Sequence, residues 1–249
     1  MEGRSRIVVV GATSLIGEHC CRLWVQRAPV DLVLVARDPA KAERIASDLR
    51  VRGPDSTVGV VTADFLDTRE IARVADTTTA AAPVDIVLIA HGALPGQDAD
   101  TDLAACREIL EVNAVSPALF AEAFARHFAK ANRGTIAIIG SVAGDRGRKA
   151  NYGYGASKAL LARYAEGLEH RFARTGVGVV LIKPGPTDTP MTAGFRTRVR
   201  RLASPEQVAR AIVRGIDRKK PVVYAPRLWQ MIMLIVRHLP RFVFNRLEI

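Results

Sequence analysis

The sequence predicts an α/β fold: a Rossmann-like, doubly wound parallel sheet of about seven strands with helices on both faces. Three observations predict it. Short apolar runs rich in Val and Ile recur along the chain, and they are nearly continuous, as in strands buried on both faces. Helical patterns separate these runs. The composition, 49% apolar and 24% charged over 249 residues, excludes disordered and fibrous architectures.

The elements follow from these patterns in chain order. The β-branched runs give the strands, Gly92 closes the fourth strand, and Ser204-Pro205-Glu206 starts the helix before the last strand. The predicted strands are 6–10, 31–36, 57–62, 85–90, 135–140, 178–182 and 222–224. The predicted helices are 15–27, 39–50, 102–113, 117–131, 154–174, one that starts at Ser204, and 227–239.

The chain is predicted to form a single dinucleotide-binding domain over residues 1–249, because it contains no repeat, linker or low-complexity stretch. A basic, apolar C-terminal segment covers 226–249. Residues 196–249 hold 13 of the 36 Lys and Arg side chains but 3 of the 25 Asp and Glu side chains, so the rest of the chain is nearly neutral. This distribution favours a local anionic partner near the C-terminus and argues against a nucleic-acid-binding surface.

The cysteines and the apolar runs exclude several further classes. Cys20, Cys21 and Cys106 form neither a disulfide framework nor a metal-ligand spacing, so no metal is predicted. No apolar region typical of a signal peptide precedes the first strand. The longest apolar run of the tail, Met231–Val236, is far shorter than the ~20 residues that span a bilayer. We expect a cytoplasmic protein, or one bound peripherally at the inner face of the membrane.

The turn after the first strand has the features of a pyrophosphate site. Glycines there let a phosphate approach the backbone, and the following helix points its N-terminal N–H groups at the anion. An ordinary strand–helix turn remains the alternative, because the glycine pattern is incomplete. The predicted cofactor contacts in this turn are Gly11, Thr13, Ser14, Leu15, Ile16 and Gly17.

Two further residues are predicted to select the nucleotide. Arg37 ends the second strand, where an acidic residue would bind the ribose hydroxyls of NAD, and an arginine can instead pair with the 2′-phosphate of NADP. NADP(H) is therefore favoured, with NAD(H) as the alternative and a solvated Arg37 as the simpler interpretation. Asp64, after the third strand, could accept from the adenine amino group or act as a helix N-cap.

The strongest pattern lies between residues 141 and 158. Tyr154 and Lys158 are four residues apart on a predicted helix and therefore share one face. We expect the lysine ammonium, with a cationic nicotinamide, to lower the pKa of the Tyr154 phenol. The Ser141 hydroxyl can hold a carbonyl oxygen that Tyr154 protonates as hydride reaches the carbon. Tyr152 does not fit this role, because residue 156 is Ala.

These residues resemble the short-chain dehydrogenase/reductase family over nearly the whole chain. The resemblance implies that Ser141, Tyr154 and Lys158 are catalytic. It implies that Asn113 completes a tetrad by holding a water in a proton relay.

The same resemblance extends to the cofactor. The segment 184–191 is similar to the family's Pro-Gly segment, in which Thr189 would meet the nicotinamide carboxamide, and Asp64 matches its adenine-contacting aspartate. Beyond the first turn, the predicted cofactor contacts are Arg37, Asp64, Gly92, Tyr154, Lys158, Pro184, Gly185, Thr187 and Thr189.

Two places depart from the family pattern. Val10 and Leu15 stand where the family's phosphate turn has Thr and Gly, which leaves the path of that turn open. After the fourth strand only Gly92 carries over from the family's Asn-Asn-Ala-Gly segment. The unmatched His91 is expected to be packed or hydrogen-bonded rather than catalytic.

A narrower resemblance concerns 141–152 and 237–247. Both stretches are similar to the decaprenylphosphoryl-2-keto-pentose reductases of bacterial cell-wall arabinan synthesis. This similarity implies a 2-keto-pentose on polyprenyl phosphate as substrate, made by a flavin oxidase partner and reduced to the arabinose epimer. The alternatives are a reductase of a soluble ketone, such as a steroid, a quinone or a 3-oxoacyl thioester, and a non-catalytic nucleotide-binding subunit. A homo-oligomer is expected.

Two basic clusters flank the predicted site, and either could pair with a phosphate or simply be solvated. One lies between the serine and the tyrosine, and the other follows the Pro-Gly segment. Their members are Arg146, Arg148 and Lys149, and then Arg196, Arg198, Arg200 and Arg201.

The tail helix 227–239 has an unusually wide apolar face. At 100° per residue, its polar side chains fall within an arc of about 100°, and the rest of the circumference is almost wholly apolar. These polar residues are Arg227, Gln230, Arg237 and His238. Such a helix suits the surface of a bilayer, or it packs against the domain or a second subunit. Pro240 is expected to end it.

Overall fold

The computed structural model of the protein describes residues 4–94, 102–195 and 202–247. Seven parallel strands form one sheet in the order β3-β2-β1-β4-β5-β6-β7. The strands are β1 (Ser5–Val10), β2 (Val30–Ala36), β3 (Thr57–Thr62), β4 (Ile86–Ile89), β5 (Gly134–Ile139), β6 (Val177–Pro184) and β7 (Val222–Ala225). The predicted α/β class and doubly wound sheet are confirmed, and each strand boundary lies within two residues of its prediction.

Helices connect the strands. They are α1 (Leu15–Arg27), α2 (Pro39–Arg52), α3 (Thr68–Ala81), α4 (Leu103–Leu110), α5 (Ser116–Ala131), α6 (Tyr152–Phe172), α7 (Pro205–Asp217), α8 (Leu228–His238) and α9 (Arg241–Phe244). The sequence analysis missed α3, although Asp67 caps it and Ile71, Val74 and Ala75 form its buried stripe. None of the helices in the described ranges has the length and apolar character needed to cross a bilayer.

The predicted helix over 102–113 is wrong in its last three residues. Regular α4 ends at Leu110, and a wide π-helical turn, Glu111–Val115, joins it to α5. In this turn the N–H of Ser116 donates to the carbonyl of Glu111, five residues back instead of four. Such turns are rare and concentrate at functional sites. Asn113 lies at its centre.

The sheet is covered on both faces, which explains the continuous apolar strands. Val8 and Val10 of β1 enter one core, together with side chains of α3, α5 and α6. Ile7 and Val9 enter the other core, together with side chains of α1, α2 and α7. Both cores hold side chains that are fully buried. The sheet is therefore a rigid support for whatever follows its strands.

The order of the strands reverses beside β1, which pairs with β2 on one side and with β4 on the other. In doubly wound sheets, this switch point opens a crevice outside the carboxyl ends of the strands, and ligands bind there. The loops that follow β1 through β6 all emerge at this edge. Every predicted site residue lies on one of those loops or on the helix after it.

Candidate active site

The turn after β1 brings backbone segments into close contact. Gly11 has a φ of +79°, and its N–H donates to the Val35 carbonyl at 2.9 Å. A Cβ on Gly11 would lie 2.6–2.8 Å from three atoms of His91, so only glycine fits. Ser14 caps α1 by accepting from the Gly17 N–H at 3.1 Å.

These contacts fix the path of the turn, which the departures from the family pattern had left open. Leu15 is the first residue of α1 and leaves the turn after β1 intact. Thr13 and Ile16 lie beside Ser14, half-buried at the start of the helix. A Cβ on Gly17 would lie 3.4 Å from the Ala90 Cβ, so the helix start packs closely on the end of β4. The N-terminus of α1 faces the crevice, which is the arrangement that binds a pyrophosphate.

A hollow at the carboxyl ends of β2 and β3 lies where the adenosine end of a dinucleotide would lie. It is lined by Arg37, Thr62, Ala63, Asp64 and Glu70. The Glu70 carboxylate accepts from the Arg73 guanidinium at 2.6 Å, and this contact lowers the pKa of Glu70. Because Arg73 balances that carboxylate, the charged groups left for a ligand at this end of the crevice are exposed Arg37 and Asp64.

Asp64 is not the N-cap of a helix, which was one of its two predicted roles. Its Oδ1 accepts from the Leu66 N–H at 2.9 Å, two residues on, in a local turn. The N-cap of α3 is Asp67, whose carboxylate accepts from the Arg69 N–H. The Asp64 carboxylate therefore stays at the wall of the hollow beside Arg37.

Ser141, Tyr154 and Lys158 come together beyond the end of β5. The Ser141 hydroxyl accepts from the Ala143 N–H at 3.1 Å and lies close enough to the Tyr154 phenol to counter the rise of its pKa on burial. Lys158 is 3% exposed, and its Nζ donates to the Ile139 carbonyl at 3.2 Å. The Nζ lies 5.8 Å from the centre of the Tyr154 ring. The sequence spacing thus places a hydroxyl, a phenol and an ammonium around one point.

The expected lowering of the phenol pKa by Lys158 and a cationic nicotinamide concerns the protein with bound nucleotide and stays a prediction. Burial raises the pKa of Tyr154, and the Ser141 hydroxyl offsets only part of that rise. Burial also lowers the pKa of Lys158 to about 8. The reason is desolvation, which disfavours both the phenolate and the ammonium. Near neutral pH, Tyr154 carries its proton and Lys158 its charge.

Asn113 anchors the loop that follows β4. Its Oδ1 accepts from the Ala93 N–H at 2.9 Å, and its Nδ2 donates to the carbonyls of Ala93 at 2.9 Å and of Ile109 at 3.1 Å. The side chain therefore holds protein backbone rather than pointing at a substrate. The residue four positions on is Pro117, which has no N–H, so the Asn113 carbonyl loses its ordinary helical donor.

Gly92 separates Asn113 from Lys158. A Cβ at Gly92 would lie 2.7 Å from the Asn113 Oδ1 and 3.4 Å from the Lys158 Nζ. The glycine lets the two side chains approach one point from opposite sides. The proton relay through a water on Asn113, which the family resemblance implies, stays a prediction.

The Pro184-Gly185 segment follows β6 at the same edge. The Gly185 N–H donates to the Ala225 carbonyl at 3.0 Å, and the buried Thr187 hydroxyl donates back to the Gly185 carbonyl at 2.9 Å. The Thr189 N–H donates to the Thr192 hydroxyl at 3.1 Å. These bonds fix the local path of the segment.

A buried polar network, which the sequence analysis did not anticipate, ties this segment to the serine loop. Lys183, directly before Pro184, contacts the Asp145 carboxylate at 2.5 Å, and Tyr224 donates to the other oxygen of Asp145 at 2.8 Å. Asp145 is four residues after Ser141. Burial and the Asp145 contact raise the pKa of Tyr224 to about 12. The pairing of β6 with β7 sets Lys183 beside Tyr224, and the serine loop adds Asp145.

The two arginines of the serine–tyrosine loop have different surroundings. The Arg146 guanidinium donates to the carbonyls of Val236 and Leu239 at the end of α8 and lies 3.8 Å from the Phe244 ring centre. Arg146 is therefore bonded to the chain itself, which does not fit its predicted role as a phosphate ligand.

Arg148 has fewer partners. Its Nη2 contacts the Met233 sulfur at 3.7 Å, and its buried Nε has no hydrogen-bond partner within the described ranges. Burial lowers the pKa of Arg148, and the nearby Asp145 offsets part of this. An anionic ligand beside the site would accept a hydrogen bond from this unused guanidinium donor.

The remaining members of the two basic clusters are Lys149 and four arginines. Lys149 is exposed on the same loop as Arg148. The other four predicted arginines, Arg196, Arg198, Arg200 and Arg201, lie outside the described residues.

His91 packs in the core, as expected. Its Nε2 lies 2.9 Å from the Ser116 Oγ, and Ser116 donates its own proton to the Phe65 carbonyl at 2.6 Å, so Nε2 must be the donor. The ring contacts Phe65 and Phe120. Burial, with the charges of Lys158 and Arg37, lowers the pKa of His91 to about 3. His91 is therefore neutral and packed, as the sequence analysis expects.

The described residues contain no cluster of three or more His, Cys, Asp or Glu side chains that could bind a metal ion. Buried Cys20 and Cys21 belong to a core, where burial raises the pKa of both thiols.

Comparisons with known proteins agree with this geometry. The family model described as short chain dehydrogenase matches residues 5–200. An uncharacterized oxidoreductase of Streptomyces coelicolor is 32% identical over 247 residues, which cover 98% of this chain and 96% of the relative. A cis-4-hydroxycyclohexanecarboxylate dehydrogenase of Sinomonas cyclohexanicum is 31% identical, over 82% of this chain and 86% of that protein.

A solved structure supports the fold. The short-chain dehydrogenase of Sphingobium yanoikuyae, determined in complex with NADPH, superposes with a TM-score of 0.81 at 24% identity. The match covers 95% of this chain and 97% of that one.

Proposed function

Because the chain belongs to the short-chain dehydrogenase family of oxidoreductases, we propose that it reduces a 2-keto-pentose carried on polyprenyl phosphate, with NADP(H) as cofactor. The observation that carries the reductase chemistry is the meeting of Ser141, Tyr154 and Lys158 at the end of β5. The nature of the substrate is supported by the buried, incompletely bonded guanidinium of Arg148 beside the same site.

The crevice has the features that a dinucleotide requires. The pyrophosphate would lie at the N-terminus of α1, where Gly11 and Gly17 allow close approach. Arg37 would pair with a 2′-phosphate, and Asp64 would accept from adenine. When bound, the nicotinamide nucleotide supplies the hydride.

The side chains of this protein bind the substrate carbonyl and transfer the proton. Ser141 donates a hydrogen bond to the substrate carbonyl oxygen and holds it beside Tyr154. As hydride reaches the carbonyl carbon, the Tyr154 phenol gives its proton to that oxygen, so the product is a secondary alcohol. The charge of Lys158 stabilises the phenolate left behind. A water on the Asn113 carbonyl returns a proton through Lys158.

A second candidate is the reduction of a soluble ketone. It is favoured by the relative from Sinomonas, whose name describes the oxidation of a small cyclic hydroxy acid. A carboxylate would satisfy Arg148 as well as a phosphate does. The two candidates share the chemistry at Tyr154 and differ in the remainder of the substrate.

NADPH oxidation by the purified protein separates the candidates. Two substrates are compared, a polyprenyl-phosphate 2-keto-pentose and a soluble cyclic keto acid. The proposal expects a much higher kcat/KM for the lipid-linked sugar. A higher kcat/KM for the keto acid would replace it with the second candidate.

The proposal also names partners and a location. A flavin oxidase that forms the keto sugar would supply the substrate, and the product would be the arabinose epimer used for a cell-wall polymer. The protein would act as a homo-oligomer in the cytoplasm, at the inner face of the membrane. Chemical cross-linking to a co-expressed flavin oxidase tests the partnership.

The preference for NADP(H) has its own test. Arg37→Asp removes the cation and places a carboxylate where the 2′-phosphate would bind. The KM for NADPH should rise roughly tenfold or more, since a charged hydrogen bond contributes about 1.5–3 kcal/mol. The KM for NADH should not rise. Equal KM values of the wild type for the two nucleotides would refute the preference.

A further inference from the structure

An apolar stripe runs along the outer face of α8 and α9. We use the term apolar stripe for six side chains that are 44–68% exposed, although each is large and hydrophobic. They are Leu228, Met231, Leu234, Ile235, Phe242 and Leu247. On α8 the four members span about 120° of the circumference at 100° per residue. The opposite face carries Met233, which is 0% exposed. The domain thus covers one side of the helix and leaves the other side to solvent.

The charges around the stripe have one sign. Residues 227–247 contain four arginines and no Asp or Glu. Arg237 is exposed on α8, close enough to the Tyr224 phenol to offset part of the rise in its pKa. Arg227, Arg241 and Arg246 are exposed at the two ends of the stripe. An apolar face bordered by exposed cations is complementary to a bilayer with anionic headgroups.

The stripe lies next to the candidate active site. The Trp229 indole packs on Gly185, so closely that a Cβ there would lie 2.0 Å from the indole nitrogen. At the other end of α8, Arg146 of the serine–tyrosine loop holds the carbonyls of Val236 and Leu239. Helix α8 therefore connects the Pro-Gly segment to the serine–tyrosine loop and forms a wall of the site. Its inner side contacts the site and its outer side carries the stripe.

We propose that the apolar stripe is a docking surface for an anionic lipid bilayer, and that docking brings the active-site cleft to the lipid. The apolar side chains would enter the boundary between headgroups and acyl chains, and the three arginines would contact the phosphates of the headgroups. The inference deepens the proposed function, on which it rests only for the identity of the substrate. A substrate on a polyprenyl chain would then reach the cleft without leaving the bilayer.

Flotation of the full-length protein with vesicles tests the docking surface without any substrate. The vesicles are phosphatidylcholine alone, or phosphatidylcholine mixed with phosphatidylglycerol. The test variant is Leu234→Ser/Ile235→Ser, on the exposed side of α8. The matched control is Val51→Ser/Leu103→Ser, which removes two even more exposed apolar side chains from α2 and α4. Circular dichroism and thermal unfolding check that every variant folds, and the activity on a soluble ketone checks the site.

The wild type should float with the mixed vesicles and much less with phosphatidylcholine alone. The test variant should need about tenfold more lipid for half-maximal binding, because it no longer buries two aliphatic side chains. The control should bind like the wild type. Absence of flotation with mixed vesicles, or equal binding by the test variant, would overturn the proposal. A test variant that only lowers the mass measured by sedimentation would assign the stripe to a second copy of the chain.

These outcomes are independent of the proposed function. Vesicle binding without turnover of the lipid-linked sugar would leave the docking surface standing and refute that substrate. Turnover of the sugar in detergent without vesicle binding would support that substrate and refute the docking surface.

Discussion

The carboxyl edge of the sheet and helix α8 form two sides of one site, and they are built differently. At the sheet edge, the polar side chains are anchored to backbone: Lys158 to the Ile139 carbonyl and Asn113 to both groups of Ala93. On α8, a single side chain of the helix, Met233, is fully buried, and four large apolar side chains face solvent. One side is fixed by the core, whereas the other is attached through a few contacts.

This difference separates chemistry from recognition. Proton transfer needs groups held in fixed positions, and buried anchors provide them. Recognition of a substrate varies between relatives of one family, and a helix attached to the rim can vary without disturbing the sheet. We therefore expect substitutions at the sheet edge to change the rate for every substrate, and substitutions on the α8 side to change the choice among substrates.

The largest effect should come from the sheet edge. Tyr154→Phe removes only the phenol oxygen and should lower kcat about 10²- to 10⁴-fold, as expected for the loss of a general acid. Binding of NADPH, followed by quenching of its fluorescence, should be nearly unchanged. If the variant keeps more than half of the wild-type kcat, another group is the proton donor.

The next effect should distinguish the two arginines near α8. Arg148→Gln should raise the KM for a phosphorylated substrate roughly ten- to a hundredfold and leave the KM for an uncharged ketone unchanged, because only the former uses the guanidinium. Arg146→Gln is the matched variant. It releases the end of α8 and should affect both substrates alike. The proposed role of Arg148 fails if its variant also affects both substrates alike.

The contact between the two sides can be broken at Gly185. Gly185→Ala places a methyl group on the Trp229 indole and should lower the free energy of unfolding by about 1–3 kcal/mol, the usual cost of overpacking. Trp229→Ala in the same chain should restore part of that loss. Gly167→Ala is a control, because a Cβ there meets no atom within 4 Å. Urea unfolding of the wild type, the two single variants, the double variant and the control measures the coupling, and additive changes would show that the two residues do not interact.

The smallest effect is a pH dependence that arises at the sheet edge. Burial lowers the pKa of Lys158 to about 8, so its charge is present below that pH and is lost above it. Because Tyr154 holds its proton over this range, kcat/KM for NADPH should fall as pH rises through 8.

The contribution of Lys158 to the free energy of unfolding should change in the opposite direction. The unfolded chain binds the Lys158 proton between pH 8 and 10 while the folded chain releases it, so this group's contribution rises with pH. Lys158→Met should lack that rise, and the same slope in both proteins would contradict the assignment.

The sheet edge could be predicted from sequence and most of the α8 side could not. Strands, glycine turns and the Tyr154–Lys158 spacing depend on local chain geometry, so short sequence patterns are enough to predict them. The contacts of Arg146 with Val236 and of Trp229 with Gly185 join residues that are far apart in the chain, and nothing local indicates them. The wide turn around Asn113 also escaped prediction, although Pro117 marks the missing donor. Helix α3 was missed despite a regular apolar stripe, because its Thr-rich end weakens the helical pattern.

The measurement that tests this account most directly is the kcat/KM of Leu234→Ser/Ile235→Ser with two substrates. One is the polyprenyl-phosphate keto sugar in vesicles that contain phosphatidylglycerol, and the other is a soluble ketone. The account predicts a fall of about tenfold for the vesicle-borne sugar, equal to the expected loss of lipid binding, and no change for the soluble ketone. An equal fall for both substrates, or no fall for either, would contradict the separation of chemistry at the sheet edge from recognition at α8.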